Sequence, residues 1–180
     1  EGIFEGCEKL ASVTIGSSIQ TIPTNAFKDC IDLDNLTIPN TVKTIESKSF
    51  YNCIALTEIT IPVGVETIGS EAFGNCKLTS VSISNTVINS ANDIFNGNDE
   101  LTKITIVGEG KMQNFTNENR PWETIKEQIT EVVISEEITT IGNYAFEGCI
   151  NITTIRIPNS ITTIGTQSFE RCTRLGTIHW

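Results

Sequence analysis

Six cysteines are the residues of this chain best suited to chemistry. Thiols can form disulfides, bind zinc or act as nucleophiles. Zinc sites commonly use close pairs such as C-x-x-C or H-x-x-x-H, and the sequence contains neither pair. In all but one interval, successive cysteines are instead 23 residues apart, at Cys7, Cys30, Cys53, Cys76, Cys149 and Cys172.

This spacing places every cysteine at the same position of a repeat, which the Phe95 unit fills with Asn98 instead. It predicts a column of small, buried, hydrophobic side chains. Adjacent units of a solenoid would bring successive Cα atoms to about 5 Å, a distance that permits a disulfide. However, side chains on adjacent parallel units point the same way and fit the disulfide torsion poorly. We therefore predict free thiols, with disulfides between adjacent units as the alternative.

Other groups that could support catalysis are scarce. The single histidine, His179, precedes the last residue and is interpreted as exposed. Gly108 and Gly110 lack the helix, lysine and hydroxyl residue that complete a phosphate-binding loop. Paired carboxylates fall in predicted turns and are expected to be solvated, namely Asp32 with Asp34, Asp99 with Glu100, and Glu136 with Glu137. Because no convergent set of polar groups emerges, we predict no enzymatic activity, no metal and no cofactor.

The composition narrows the class of protein further. The 180 residues suffice for one domain with a sizeable core. A net charge of −10, from 22 acidic and 12 basic residues, argues against a nucleic-acid partner. No apolar run reaches the ~20 residues that a membrane-spanning helix needs. A signal peptide is not visible, but the sequence opens within a repeat and is expected to be a fragment of a longer chain.

The repeat that spaces the cysteines has a regular internal pattern. A phenylalanine lies three residues before each cysteine, and a segment of the form L-x-x-I-x-I follows, as in Leu56–Ile61. Its alternation predicts a short, half-buried strand that a proline such as Pro62 ends. A second apolar pair follows, Val65 and Ile68 in this repeat. One repeat cannot bury this apolar stripe alone, but stacked repeats bury it against each other.

The pattern therefore predicts a right-handed solenoid of leucine-rich repeats. We expect a parallel β-sheet on its concave face, with mostly strand and loop and short helical turns elsewhere. Eight strand segments can be counted, which predicts about eight rungs in a single domain over residues 1–180.

One unit, over residues 107–128, departs from the period. Its flanking strand centres, Ile104 and Val132, are 28 residues apart, and the usual closing phenylalanine and cysteine are missing. Asn117–Asn119 is predicted to be a polar loop. Trp122 and Ile125 have helical spacing and could dock a short helix on the core in place of the missing pair. A ligand site around Trp122 is the alternative, because long loops of repeat proteins often carry function.

The outward face of the predicted strand ladder is the main candidate for binding. Its side chains are not needed for the core, and the concave sheet is the usual binding surface of such solenoids. The candidate residues on it are Asn35, Thr37, Glu58, Thr60, Ser82, Lys103, Thr105, Glu131, Thr154 and Arg156. Their four charged members alternate in sign and could set the register of a partner. Trp122 is a further candidate, in the irregular unit.

The full motif, L-x-x-I-x-I-P-x-x-V-x-x-I-G-x-x-A-F-x-x-C, is specific. Leu56–Cys76 reads LTEITIPVGVETIGSEAFGNC, and Ile152–Cys172 reads ITTIRIPNSITTIGTQSFERC. Over essentially its whole length the chain resembles the BspA-like class of leucine-rich repeats, found in large surface proteins of host-associated bacteria and some protist parasites. The resemblance implies a cell-surface or secreted adhesin that binds host matrix proteins such as fibronectin and fibrinogen. The family has no fixed binding motif, so it implies no residue roles.

The leading hypothesis is therefore a monomeric cell-surface module for protein–protein interaction. A passive spacer that projects another domain from the surface is the alternative. Ice binding is a third class, because flat threonine ladders on solenoids can template ice. The charged column and the expected curvature argue against it.

Overall fold

Short strands form where the repeat alternates β-branched and polar residues, and they are the main element of the fold. The computed structural model describes residues 1–87, 89–116 and 118–180, so Asn117 of the predicted polar loop lies outside the described residues. Among the described residues, the one helical element is a 3₁₀ turn over Glu123–Ile125. The strands, in chain order, are β1 Ser12–Thr14, β2 Thr21–Ile22, β3 Asn35–Thr37, β4 Thr44–Ile45, β5 Glu58–Ile61, β6 Thr67–Ile68, β7 Ser80–Ser84, β8 Asn89–Ser90, β9 Lys103–Val107, β10 Gly110–Lys111, β11 Glu131–Ile134, β12 Ile138–Ile141, β13 Thr154–Arg156, β14 Thr163–Ile164 and β15 Thr177–His179.

The odd-numbered strands form the predicted ladder, here called the long-strand ladder. Paired strands are parallel and offset by one repeat, so that Val13 of β1 lies beside Leu36 of β3. Hydrogen bonding divides the ladder into three groups, β1–β3, β5–β7–β9–β11 and β13–β15. The predicted parallel-strand solenoid is confirmed. Its sheet is interrupted between β3 and β5 and between β11 and β13.

The even-numbered strands form a second parallel ladder, which the sequence pattern did not reveal as strands. It is ordered β2–β4–β6–β8 and β10–β12–β14. Each regular repeat contributes a threonine followed by the isoleucine of the second apolar pair, and Ile22, Ile45 and Ile68 are buried. Most of these strands are two residues long, too short for an alternating pattern to identify them.

Aromatic and thiol columns fill the core between the ladders. Phe4, Phe27, Phe50 and Phe73 stack with ring centroids 5.2 Å apart. All six cysteines are free; Cys7 is exposed and Cys172 half-buried, and the others are buried. The Sγ–H of a cysteine such as Cys53 donates to the phenylalanine carbonyl of the preceding repeat, at 3.2 Å. Each repeat is thus tied to its neighbour by both columns.

A third column explains polar residues at the tight turns. Asp29, Asn52 and Asn75 have positive φ angles of 61°, 61° and 52°. Asn and Asp tolerate this left-handed conformation better than other residues with a Cβ atom. Their side chains also form a ladder, because the amide of Asn52 donates to Asp29 and that of Asn75 donates to Asn52, both at 2.8 Å. Within the described residues, no helix has the length and hydrophobicity to cross a bilayer.

Candidate functional site

The outward side chains of the long-strand ladder form one surface, which we call the outer strand face. They lie at alternate positions of the strands, opposite the buried residues; β5, for example, alternates exposed and buried side chains from Glu58 to Ile61. The face consists of Ser12, Thr14, Asn35, Thr37, Glu58, Thr60, Ser80, Ser82, Lys103, Thr105, Glu131, Val133, Thr154, Arg156, Thr177 and His179.

Register brings the central candidate residues together. Across the four hydrogen-bonded strands β5, β7, β9 and β11, one column is Glu58, Ser80, Lys103 and Glu131, and the other is Thr60, Ser82, Thr105 and Val133. Asn35 and Thr37 lie on the N-terminal strand pair, and Thr154 and Arg156 lie on the C-terminal pair. These ten candidates therefore lie on the strands of one ladder, distributed over its three groups.

Three of the four charges on this face, Lys103, Glu131 and Arg156, have ion-pair partners within the molecule. The Nζ of Lys103 lies 2.8 Å from a carboxylate oxygen of Glu131 on the next strand. Arg156 lies 3.1 Å from Glu136, which the sequence analysis placed in a turn as a solvated charge. Glu58 has no ion-pair partner among the described residues. Its carboxylate is therefore the charge of the outer strand face that remains available for a partner.

Two grooves cross the face at the interruptions of the sheet. The first groove, 380 Å³, lies at the β3–β5 interruption and is lined by Leu36, Thr37, Ile38, Asn40, Glu58, Ile59, Thr60, Pro62, Ser80 and Ser82. The second groove, 570 Å³, lies at the β11–β13 interruption and is lined by Glu131, Val132, Val133, Ile134, Ser135, Glu136, Thr154 and Arg156. Sequence analysis missed both grooves, because the strand pattern is the same on each side of the interruptions.

Trp122 belongs to the core and not to a surface site. Its side chain is 2% exposed, and its ring stacks on Phe146 with centroids 5.6 Å apart. The indole N–H donates to the carbonyl of Ala145 at 2.9 Å. Ile125, three residues later, is also buried, so the pair replaces the missing phenylalanine and cysteine as the core interpretation expected. The choice of Trp122 as a protein-binding residue was therefore wrong, because its ring is covered by the stack.

Arg120 belongs to the segment around Phe115 and Trp122 that the sequence offered as a rival binding location, but its side chain is buried. It is fully buried, and its Nη1 donates to the carbonyls of Tyr144 and Glu147, both at 2.7 Å. Its Nε donates to the carboxylate of Glu123 at 2.8 Å. The sequence gives little indication that the arginine beside Pro121–Trp122 is buried, because arginine is ordinarily a surface residue.

Regular repeats show what these side chains replace. There, Phe27 N–H donates to Ser49 and Asp29 N–H donates to Tyr51 of the next repeat, at 2.8 and 2.9 Å. The carbonyls at the corresponding positions of the later repeat belong to Ala145 and Glu147. They are bound by the Trp122 indole and the Arg120 guanidinium. The irregular unit thus maintains the stack with side-chain donors where backbone amides are out of place.

The thiols are placed for packing, and burial makes them poor nucleophiles. Burial raises the pKa of Cys76 to about 12 and that of Cys172 to about 11. The thiolate is the reactive form, so these groups are largely unreactive at neutral pH. Among the described residues, no group of three or more His, Cys, Asp or Glu side chains could hold a metal ion.

Comparison with solved structures finds bacterial leucine-rich repeat proteins. One from Bacteroides ovatus is 19% identical with a TM-score of 0.51, over 98% of this chain and 74% of that chain. One from Eubacterium ventriosum is 27% identical with a TM-score of 0.58, over 89% and 42%. The leucine-rich repeat protein of T. pallidum is 23% identical with a TM-score of 0.61, over 96% and 68%. The chain therefore spans 42 to 74% of the length of these proteins.

Comparison with models of protein families identifies the family of this chain. No curated protein sequence matches the chain. Six copies of the BspA type leucine rich repeat region match residues 1–102 and 124–180. The unmatched residues, 103–123, include most of the irregular unit, where the period fails. Since the matches cover most of the sequence, the chain belongs to the BspA-type leucine-rich repeat family and is a repeat module of the kind that mediates protein interaction.

Proposed function

We propose that this chain is a monomeric module of a cell-surface or secreted protein and that its outer strand face binds a protein partner. The observation that carries the proposal is the regular array of exposed hydroxyl and charged side chains on this face, held in register by the strands. The core does not use these side chains, and extended surfaces of this kind are how solenoid repeats bind proteins. A net charge of −10 disfavours nucleic acid as the partner.

The partner that we propose is a host extracellular matrix protein. The resemblance to surface adhesins supports this class, with fibronectin and fibrinogen as the first probes. The outer strand face carries hydroxyls and charges but no exposed aromatic side chain. We therefore expect modest affinity per repeat and a gain when many repeats act together.

The test compares variants of two faces. Replacing Lys103 and Arg156 together by Ser should weaken binding to immobilised fibronectin or fibrinogen. The folded state should stay nearly as stable, because exposed charges contribute little to stability. Lys43→Ser is the matched control: Lys43 pairs with Glu66 at 3.5 Å near the second ladder and should not affect binding. Equal binding by the parent and the double variant would overturn the outer strand face as the site.

The irregular unit is the rival location. Trimming Asn114–Asn119 would remove Phe115, which is buried, so the loss of the core would obscure the result. Replacing the exposed Lys111 and Glu118 by Ser is the cleaner test. Loss of binding in this variant alone would assign the site to the irregular unit. If neither matrix protein binds the parent chain, the spacer function is supported instead.

A further inference from the structure

The two grooves of the outer strand face coincide with the two interruptions of the sheet. Strands β3 and β5 are not hydrogen-bonded to each other, and neither are β11 and β13. At both places the strand edges lie under a groove that opens on the outer strand face.

The first groove has the chemistry of a cation site. Its charged group is Glu58, whose carboxylate has no ion-pair partner among the described residues. The hydroxyls of Thr37, Thr60 and Ser82 line the same groove. A carboxylate among hydroxyls favours a lysine or arginine side chain, because hydrogen bonds between charged groups are the strongest available.

The second groove has the chemistry of a small apolar site. Val133 is the one apolar side chain on the outer strand face and is 39% exposed. The charges beside it are compensated within the molecule, Glu131 by Lys103 and Arg156 by Glu136. An aliphatic side chain in this groove would bury the exposed methyl groups of Val133 without stranding a charge.

The distance between the grooves sets the spacing of the occupant's side chains. Glu58 on β5 and Val133 on β11 are three strand intervals apart, and Val133 lies two residues further along its strand than the position level with Glu58. At ~4.8 Å per strand and ~3.3 Å per residue, the two positions are about 16 Å apart. An extended peptide rises ~3.3 Å per residue, so this distance corresponds to about five residues. The hydroxyls of Thr60 and Ser82 line the first groove and that of Thr105 lies between the grooves, in one column of the face, where they can bind the peptide's main chain.

We infer that the outer strand face binds an extended segment of a protein, laid across the strands, with a basic residue in the first groove and an aliphatic residue about five positions away in the second. The inference rests on the proposed function and names the feature of the partner that this face recognises.

The probe is a displayed library of random twelve-residue peptides, selected on the intact chain. The most enriched peptide is then synthesised for fluorescence-polarisation titrations. We expect selected peptides to share a Lys or Arg about five residues from an aliphatic residue. Glu58→Gln should weaken binding about tenfold, because it removes a charged hydrogen-bond acceptor. Glu100→Gln, an exposed carboxylate outside both grooves, is the matched control and should have no effect.

A second variant tests the apolar groove. Val133→Thr keeps the shape and β-branching of the residue but replaces a methyl group by a hydroxyl. It should weaken the binding of peptides with an aliphatic residue in the second groove more than the binding of peptides with Ser at the same position. Selection of no peptide, of acidic peptides, or of peptides indifferent to Glu58→Gln would overturn the inference. Suppose that the selected peptides are acidic, or are indifferent to Glu58→Gln, but bind less well to the double variant Lys103→Ser, Arg156→Ser. The proposed function then stands, while this assignment of the grooves fails.

Discussion

At the residue scale, Arg120 and Trp122 supply hydrogen bonds that backbone amides make in the regular repeats. The Arg120 guanidinium binds two carbonyls and the carboxylate of Glu123 while fully buried. A buried charge is tolerated only when it is paired and hydrogen-bonded, and these contacts meet that requirement. The irregular unit therefore depends on the Arg120 side chain for hydrogen bonds that backbone amides make in the regular repeats.

Replacing Arg120 should be strongly destabilising. Arg120→Ala leaves a cavity in the core, leaves the half-buried Glu123 with Lys126 as its ion-pair partner, and removes the donor from two carbonyls. We expect a loss of about 3–5 kcal/mol in the free energy of unfolding. Arg171→Ala is the control, because Arg171 is mostly exposed and lies 3.9 Å from Glu147. It should cost less than about 1 kcal/mol. Urea melts of both variants measure the two losses. A loss for Arg120→Ala as small as that for Arg171→Ala would show that the fold does not depend on Arg120.

The buried thiols should make the fold sensitive to alkaline pH. Burial raises the pKa of Cys76 from 9.0 to about 12. Above about pH 9 the unfolded chain therefore releases a proton that the folded chain retains, and the free energy of unfolding falls as the pH rises towards 12. Each such thiol lowers the free energy of unfolding by up to about 1.4 kcal/mol per pH unit in this window. Well below pH 9 it adds no pH dependence, because it is protonated in both states.

Cys76→Ala provides the check on this assignment. The variant lacks the titrating thiol, so its free energy of unfolding should fall less steeply above about pH 9 than that of the parent. Urea melts at about pH 8, 9.5 and 10.5 give the two slopes. Identical slopes would mean that the Cys76 thiol is not protected in the folded state.

At the element scale, the sequence predicts the strands and core columns whose residue types recur in every regular repeat. The long strands and the columns of phenylalanine and cysteine follow from residues such as Ile59, Phe73 and Cys76, whose type recurs every 23 positions. The second ladder escaped prediction because strands of two residues carry no alternation. The interruptions beside β5 and β11 escaped because the strands on either side of each have the same residue pattern. The ten candidate residues on the ladder could be placed because they occupy the same outward strand positions in successive repeats. The role of Arg120 could not be predicted, because no other repeat has an arginine at the corresponding position.

Stacking predicts that core substitutions matter more at the centre than at the first rung. Phe73 is fully buried between neighbouring rings, whereas Phe4 is 43% exposed. Phe73→Ala should therefore lower the free energy of unfolding by about 3–5 kcal/mol, as large-to-small changes in a core do. Phe4→Ala should cost less than half as much. Equal losses in urea melts would contradict the role of the stacked rings.

At the scale of the whole molecule, two ladders of short strands enclose one apolar column and leave two surfaces of threonine and charge. Thr37, Thr60 and Thr105 lie on the outer strand face, and Thr44 and Thr67 lie in the second ladder. Residue type is thus similar on both surfaces. The outer strand face carries in addition the two grooves at the sheet interruptions and the carboxylate of Glu58, which has no ion-pair partner among the described residues.

These two sets of threonines allow one direct measurement of where a partner binds. Threonine methyl groups can be labelled and their NMR signals followed while fibronectin or fibrinogen is added. Binding at the outer strand face predicts that the signals of Thr37, Thr60 and Thr105 shift or broaden first, while those of Thr44 and Thr67 are unaffected. Changes confined to Thr44 and Thr67, or no change at any threonine with either protein, would contradict the assignment of the outer strand face as the binding surface.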